Sequence, residues 1–137
     1  MSESIAIIGD GGMGTVCAII LAENGHRVKL WSAFPDAAEE LARTRRNERF
    51  LPGAVLPAEV SVTGDDAEAL SDVALAVSAV PTQYMRGVWT RLKPHCQQGL
   101  AVCSVSKGVE NGTLLRPTQI ISDAVGDETL SLAALSG

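Results

Sequence analysis

A chain of 137 residues has room for one domain with a proper core, roughly half of what a two-domain enzyme uses. Its 46% apolar and 20% charged residues exclude a disordered or fibrous chain, and a formal net charge of −5 gives no electrostatic footprint for nucleic acid or an anionic membrane surface. Cys17, Cys96 and Cys103 lack C-x-x-C or zinc spacing, which predicts neither a disulfide framework nor a metal site.

The N-terminus has no basic leader, and no apolar run approaches the ~18 residues of a membrane span, so a reducing cytoplasm is the expected setting. Aromatics are only 4%, leaving Val, Leu, Ile and Ala to build the core, as in domains whose parallel strands are buried on both faces.

The elements alternate. Residues 5–8, Ile-Ala-Ile-Ile, are a short apolar run ending at glycine and predict a buried strand. Apolar residues at helical period follow from Gly14 to Asn24, with Asn24-Gly25 as the stop. Residues 27–31 alternate like a strand near a sheet edge, and a helix is expected from Pro35 to Arg46. Asn47 to Pro57 reads as a loop, Val60 to Thr63 as a third strand, and Asp65 or Asp66 as the cap of a short helix to Leu70. A fourth strand is expected over 73–80, a helix capped by Thr82 over 82–92, a fifth strand over 100–105, a helix over 114–125 and a sixth strand over 130–135. This order predicts an α/β, Rossmann-type doubly wound, mainly parallel sheet of about six strands with helices on both faces. All of 1–137 is then one nucleotide-binding domain, and the absence of a closing helix after the last strand reads as truncation before a helical substrate domain.

Gly9-Asp10-Gly11-Gly12-Met13-Gly14 is a G-x-G-x-x-G, a weak signal alone, but here it follows a buried strand and opens a helix, the context the dinucleotide fingerprint requires. Gly9 permits the tight turn, Gly11 the approach of a pyrophosphate, and Gly14 close packing of helix on sheet. The helix N-terminus then offers free N–H groups and partial positive charge to the anion. The acidic residue expected about 20 positions on, for a ribose 2′-hydroxyl, is missing. Trp31-Ser32-Ala33-Phe34 contains neither acid nor base, which leaves NAD or NADP open and predicts affinities within about tenfold of each other. Lys107, beyond the fifth strand, stands where open α/β sheets bind ligands, and could hold a phosphate or polarise a carbonyl. Arg43, Arg45 and Arg46 read as a solvated charged face beside Glu39 and Glu40. His26 and His95 sit in turns and make poor bases, and Cys103 reads as an inert core thiol.

Residues 8–14, Asn47-Glu48-Arg49-Phe50-Leu51-Pro52-Gly53, Ala79-Val80-Pro81-Thr82 and Ser104-Val105-Ser106-Lys107-Gly108-Val109-Glu110 together resemble, in order, the NAD(P)-dependent glycerol-3-phosphate dehydrogenase family, and Leu135-Ser136-Gly137 resembles the start of its L-S-G-P segment. The resemblance implies hydride transfer between NAD(P)H and dihydroxyacetone phosphate, giving sn-glycerol 3-phosphate for phospholipid synthesis. It implies cofactor contacts at Gly9, Gly11, Gly12, Met13, Gly14, Ala33, Pro81 and Lys107, substrate contacts at Lys107 and Gly137, and Phe50 covering the adenine. The family's general acid/base is a lysine of its second domain, so no catalytic residue is expected within 1–137, and the family allows a homodimer of the full-length enzyme. The family usually has an aromatic residue where Met13 stands and a basic residue or histidine where Ala33 stands, which removes a candidate 2′-phosphate contact. Rival readings are a stand-alone dinucleotide sensor and the cofactor domain of another dehydrogenase of the superfamily, which would match over the first segment alone.

Overall fold

The computed structural model describes residues 2–135. Six parallel strands, β1 (Ser4–Ile8), β2 (Arg27–Trp31), β3 (Val60–Thr63), β4 (Leu75–Ser78), β5 (Ala101–Ser104) and β6 (Ser131–Ala134), form one sheet in the order β3-β2-β1-β4-β5-β6. The connecting helices are α1 (Gly12–Glu23), α2 (Pro35–Thr44), α3 (Asp66–Leu70), α4 (Thr82–Leu92) and α5 (Pro117–Val125), with a 3₁₀ turn at Lys93–His95. The chain order reverses between β1 and β4, and at such a switch point the loops at the carboxyl ends of neighbouring strands diverge and leave a crevice.

Both faces of the central strands are buried, because successive side chains point to opposite sides. Ile5 and Ile7 of β1 join Ala18, Val28, Leu30 and Leu41 in a core under α1 and α2, while Ala6 and Ile8 join Met85, Trp89, Ile120 and Ile121 under α4 and α5. This accounts for the unbroken apolar run of β1. β2 was expected nearer an edge and stands one strand in from it, paired with β1 and β3; its polar Lys29 is accommodated because its ammonium donates to the carbonyls of Glu68 and Ser71 at the end of α3. The true edges are β3 and β6.

Several boundaries differ from expectation. α1 begins at Gly12, so the glycine motif runs into the first helical turn instead of preceding it. α2 stops at Thr44, because Arg45 takes the left-handed conformation with φ +61. Arg45 is no part of a solvated face: its Nη2 donates at 2.6 Å to the carbonyls of Pro57 and Val60 and closes the 47–57 loop. α5 begins at Pro117 in place of residue 114, since proline suits the first helical position and the Arg116 N–H is taken by Gln119 Oε1 at 2.9 Å. Asp65, not Asp66, caps α3 by accepting from the N–H groups of Ala67 and Glu68.

Two glycines of the turn are required by packing. Gly9 has φ +120, and a Cβ there would lie 2.9 Å from the Ala79 carbonyl oxygen; a Cβ on Gly14 would overlap the Gly9 carbonyl oxygen. Nothing lies within 4 Å of a Cβ built on Gly11. We therefore expect Gly14→Ala to destabilise the chain by about 3 kcal/mol, as backbone overlap in a packed region does, and Gly11→Ala to cost no more than about 1 kcal/mol. Urea denaturation of the two variants checks this, and equal losses would contradict it.

Candidate functional site

A cleft of about 1250 Å³ opens at the switch point. Its floor is the glycine turn, with Gly9, Gly11, Gly12 and Met13 lining it; Ala33 and Phe34 line the β2 end, and Pro81, Ser106 and Lys107 the β4 and β5 ends. The first helical turn of α1 has no side-chain cap, because its N-cap is Gly11. Its N–H groups have no partner within the helix, and Gly11, Gly12 and Met13 at its start line the cleft. The open space around Gly11 lies at this same point. A backbone that lacks a side chain without needing the room for its own packing, beside uncapped helix N–H groups, fits the approach of a pyrophosphate.

Seven of the eight expected cofactor-contact positions line the cleft. Gly14 does not: it is buried behind the turn, and its role is to seat α1 against Gly9. Gly137 lies outside the described residues. Met13 is 55% exposed, an apolar surface at the mouth of the turn.

The turn is held from behind by a side chain that periodicity did not single out. Asn47, 8% exposed, donates from Nδ2 to the Asp10 carbonyl at 2.7 Å and to Thr15 Oγ1 at 2.8 Å, and Thr15 Oγ1 donates to the Gly11 carbonyl at 2.9 Å. Asn47 thus ties the 47–53 loop to the glycine turn, and the Phe50 carbonyl lies 3.2 Å from where a Gly12 Cβ would be. Phe50 itself lines the cleft.

The loop carrying Lys107 is fixed by the first turns of α4. Thr82 was expected to cap α4, but it is the first helical residue, and its Oγ1 donates at 2.6 Å to the Lys107 carbonyl. Gln83 spans the loop, donating to the Val109 carbonyl and accepting from the Asn111 N–H. Arg86 grips Glu110 through Nε and Nη2, at 3.0 and 2.9 Å, and Asp123 of α5 through Nη1 at 2.6 Å. Ser106 donates its hydroxyl to the Val80 carbonyl. The Lys107 side chain is exposed at the cleft and has no ion-pair partner among the described residues.

The end of β2 is not without a base. Arg91, on α4 and 58 positions away from Ala33, donates from Nη1 to the Ala33 carbonyl at 2.9 Å and lies over the Trp31 ring, 5.1 Å from its centroid. Asp66 holds it, with Oδ2 accepting from Nε at 2.7 Å and Oδ1 from Nη2 at 2.8 Å, while Trp31 Nε1 donates to Oδ1 at 2.9 Å. Burial pushes the Asp66 carboxyl up, but the hydrogen bonds from Arg91 and Trp31 and the Arg91 charge outweigh it and hold the group below its ordinary value. The expectation of near-equal NAD and NADP affinity rested on residues 31–34 alone, and Arg91 lies outside that stretch.

The remaining candidates stay outside the cleft. His26 Nδ1 accepts from the Glu3 N–H, and His95 is exposed in the 3₁₀ turn. Burial raises the thiols of Cys17 and Cys96, the latter to about 11. No group of three or more potential metal ligands occurs among the described residues, and none of their helices is long and apolar enough to cross a membrane.

Hydrogen bonds from Arg86, then from Thr113, hold the Glu110 carboxyl below its ordinary value of 4.5. A group with a lowered folded pKa contributes stability that is present above the unfolded value and is lost as pH falls through the folded one. The wild type should therefore hold its thermal midpoint down to about pH 5 and lose it steadily below about pH 4, with Glu110→Gln showing a shallower loss over that window. Midpoints measured from pH 3 to 7 for both proteins check this, and parallel curves would contradict it.

Residues 4–137 match the family described as NAD-dependent glycerol-3-phosphate dehydrogenase N-terminus. The chain is 40% identical over 137 residues to an NAD(P)+ glycerol-3-phosphate dehydrogenase of Nocardia farcinica and 36% identical over 137 residues to one from Mycobacterium bovis, covering 96% and 100% of this chain. It spans only 40% and 41% of the length of those relatives. Among solved structures, the glycerol-3-phosphate dehydrogenase of Coxiella burnetii superposes with a TM-score of 0.90 at 29% identity, covering 99% of this chain and 41% of that one. That of Saccharomyces cerevisiae gives 0.83 at 25%, covering 100% and 42%. Matched by that family over residues 4–137 and by these relatives along essentially its whole length, the chain belongs to the NAD-dependent glycerol-3-phosphate dehydrogenases and corresponds to their N-terminal, NAD-binding domain.

Proposed function

We propose that this chain binds NAD or NADP in the cleft and supplies the cofactor half of a site that interconverts dihydroxyacetone phosphate and sn-glycerol 3-phosphate in the cytoplasm. The observation that carries the reading is one cleft with the glycine turn as its floor and an unpaired lysine at its rim. The cofactor, when bound, supplies or accepts the hydride. Gly11 and the first turn of α1 receive the pyrophosphate, Met13 and Pro81 contact the cofactor as apolar walls, and Ala33 lies at its adenosine end. Lys107 attracts the substrate, either through its phosphate or by stabilising negative charge on the carbonyl oxygen. Its backbone is pinned by Thr82, so the ammonium is presented from a fixed point. In this reading the residues that enclose the substrate and exchange the hydroxyl proton belong to a helical second domain.

Two measurements test it. Gly11→Val should weaken NADH binding at least hundredfold in fluorescence titration with the circular dichroism spectrum retained; unchanged affinity would refute the reading of the turn. The 137-residue chain should bind cofactor yet show no NADH oxidation with dihydroxyacetone phosphate, because positioning worth ~7–11 kcal/mol of the barrier is only half built. Turnover by this chain would place the whole reaction within it.

A further inference from the structure

Three charged residues line the cleft: Asp10 in the glycine turn, Lys107 after β5, and Arg91 beside the end of β2. The end of β2 is where a dinucleotide fold reads the ribose 2′ position, with an acid for a hydroxyl or an arginine for a phosphate. Here both an acid and an arginine are present, and their arrangement decides between them. Asp66 does not line the cleft; it lies behind Arg91, 19% exposed, with Oδ1 accepting from two donors and Oδ2 from a third. Arg91 does line the cleft and is 40% exposed.

A guanidinium has five N–H donors. Three are used, on Asp66 Oδ1, Asp66 Oδ2 and the Ala33 carbonyl, and two remain, one on each terminal nitrogen. The used donors and the Trp31 face hold the group in one orientation, so little side-chain freedom is left to lose on binding. Two free donors on adjacent nitrogens match two oxygens of a phosphate monoester, and a neutral hydroxyl gains much less from them. The surrounding residues 32–34 carry no charge that would compete.

We propose that Arg91, fixed by Asp66 and Trp31 at the end of β2, binds the 2′-phosphate of NADP and gives this chain a preference for NADP over NAD. The proposal rests on the reading of the cleft as a dinucleotide site. It assigns to α4 the charge that the position of Ala33 lacks. Charge-assisted hydrogen bonds of this kind correspond to a preference of roughly ten- to hundredfold, reduced toward the lower figure by the neighbouring Asp66.

The test is titration of the chain with NADPH and NADH, and with the fragments 2′,5′-ADP and ADP, for the wild type, Arg91→Gln and Arg91→Lys. Expected are a wild-type preference of at least tenfold for each 2′-phosphorylated ligand, a steeper salt dependence for NADPH than for NADH, and an NADPH:NADH affinity ratio at least tenfold smaller in Arg91→Gln. Arg91→Lys, which keeps the charge but loses the fork, should fall between. Equal wild-type affinities, or an unchanged ratio in Arg91→Gln, would overturn the proposal while leaving the dinucleotide site standing. A proportional loss of both cofactors in Arg91→Gln would also overturn it and make Arg91 a structural prop for Trp31. Binding of neither cofactor by the wild type would overturn the dinucleotide reading and this proposal together. Should Arg91→Gln fail to fold by circular dichroism, the wild-type ratios and Arg91→Lys still decide.

Discussion

The close approach of α1 to the turn that precedes it governs the floor of the cleft. Gly14 has no side chain because the Gly9 carbonyl occupies its place, and Gly9 has none because its own φ and the Ala79 carbonyl forbid one. The two together seat the N-terminus of α1 directly over the end of β1, beside β4. Were α1 to lift by the width of a methyl group, its free N–H groups would no longer converge on the switch point, and the cleft would have no anion-binding floor. Asn47 secures the arrangement by bonding to the Asp10 carbonyl and to Thr15, so the turn is held by the helix behind it and by a loop arriving from another part of the sequence.

The opposite rim is governed by α4. Its first turns bond to the loop after β5 at three points, through Thr82, Gln83 and Arg86, and Trp89 Nε1 donates to Ser78 Oγ to fix the same helix to β4. The Arg86–Glu110 pair is partly shielded, with Glu110 9% exposed, and a fork of donors on a carboxylate holds geometry better than a single contact. One further turn along α4 stands Arg91. A single helix therefore sets the backbone that carries Lys107 at one end of the cleft and the guanidinium at the other.

Local signals in the sequence were enough for the sheet. The apolar run of β1, the glycine motif after it and the alternation of strands with helices predict the doubly wound fold, and every expected strand and helix exists, β2, β3 and α4 over the expected residues and others with ends shifted by a few residues. The shifts have local causes: the left-handed Arg45 ends α2 early, and Pro117 belongs at the first position of α5, so the helix cannot begin at Leu114. The site was legible where function sits in consecutive residues, as in the glycine turn and the stretch around Lys107. It was illegible where function arises from side chains brought together across the fold. Asn47 was visible as part of a resemblance but its bond to the turn was not, and Arg91 sits on a helix, between Thr90 and Leu92, where nothing in the periodicity sets it apart. A cation 58 positions away from the strand end it serves has no local signature.

That distribution also explains how an acidic chain can present a site for an anionic ligand. The formal charge of −5 is a property of the whole surface, and at physiological salt charges more than about 8 Å apart are largely screened. What a phosphate meets is the local set: N–H groups of an uncapped helix at the floor, Lys107 at one rim and Arg91 at the other. Asp10 is the acid that lines the cleft, outnumbered there by Lys107 and Arg91, and two carboxylates on the outer side are engaged. Asp66 is bound by Arg91 and Trp31, and Glu110 by Arg86 and Thr113, so each acid is spent on orienting structure and adds little repulsion toward the cleft. Pairing on the outer side of the cleft is thus what lets the inner side remain cationic, and the acidity of the chain as a whole bears on its solubility and not on what the cleft accepts.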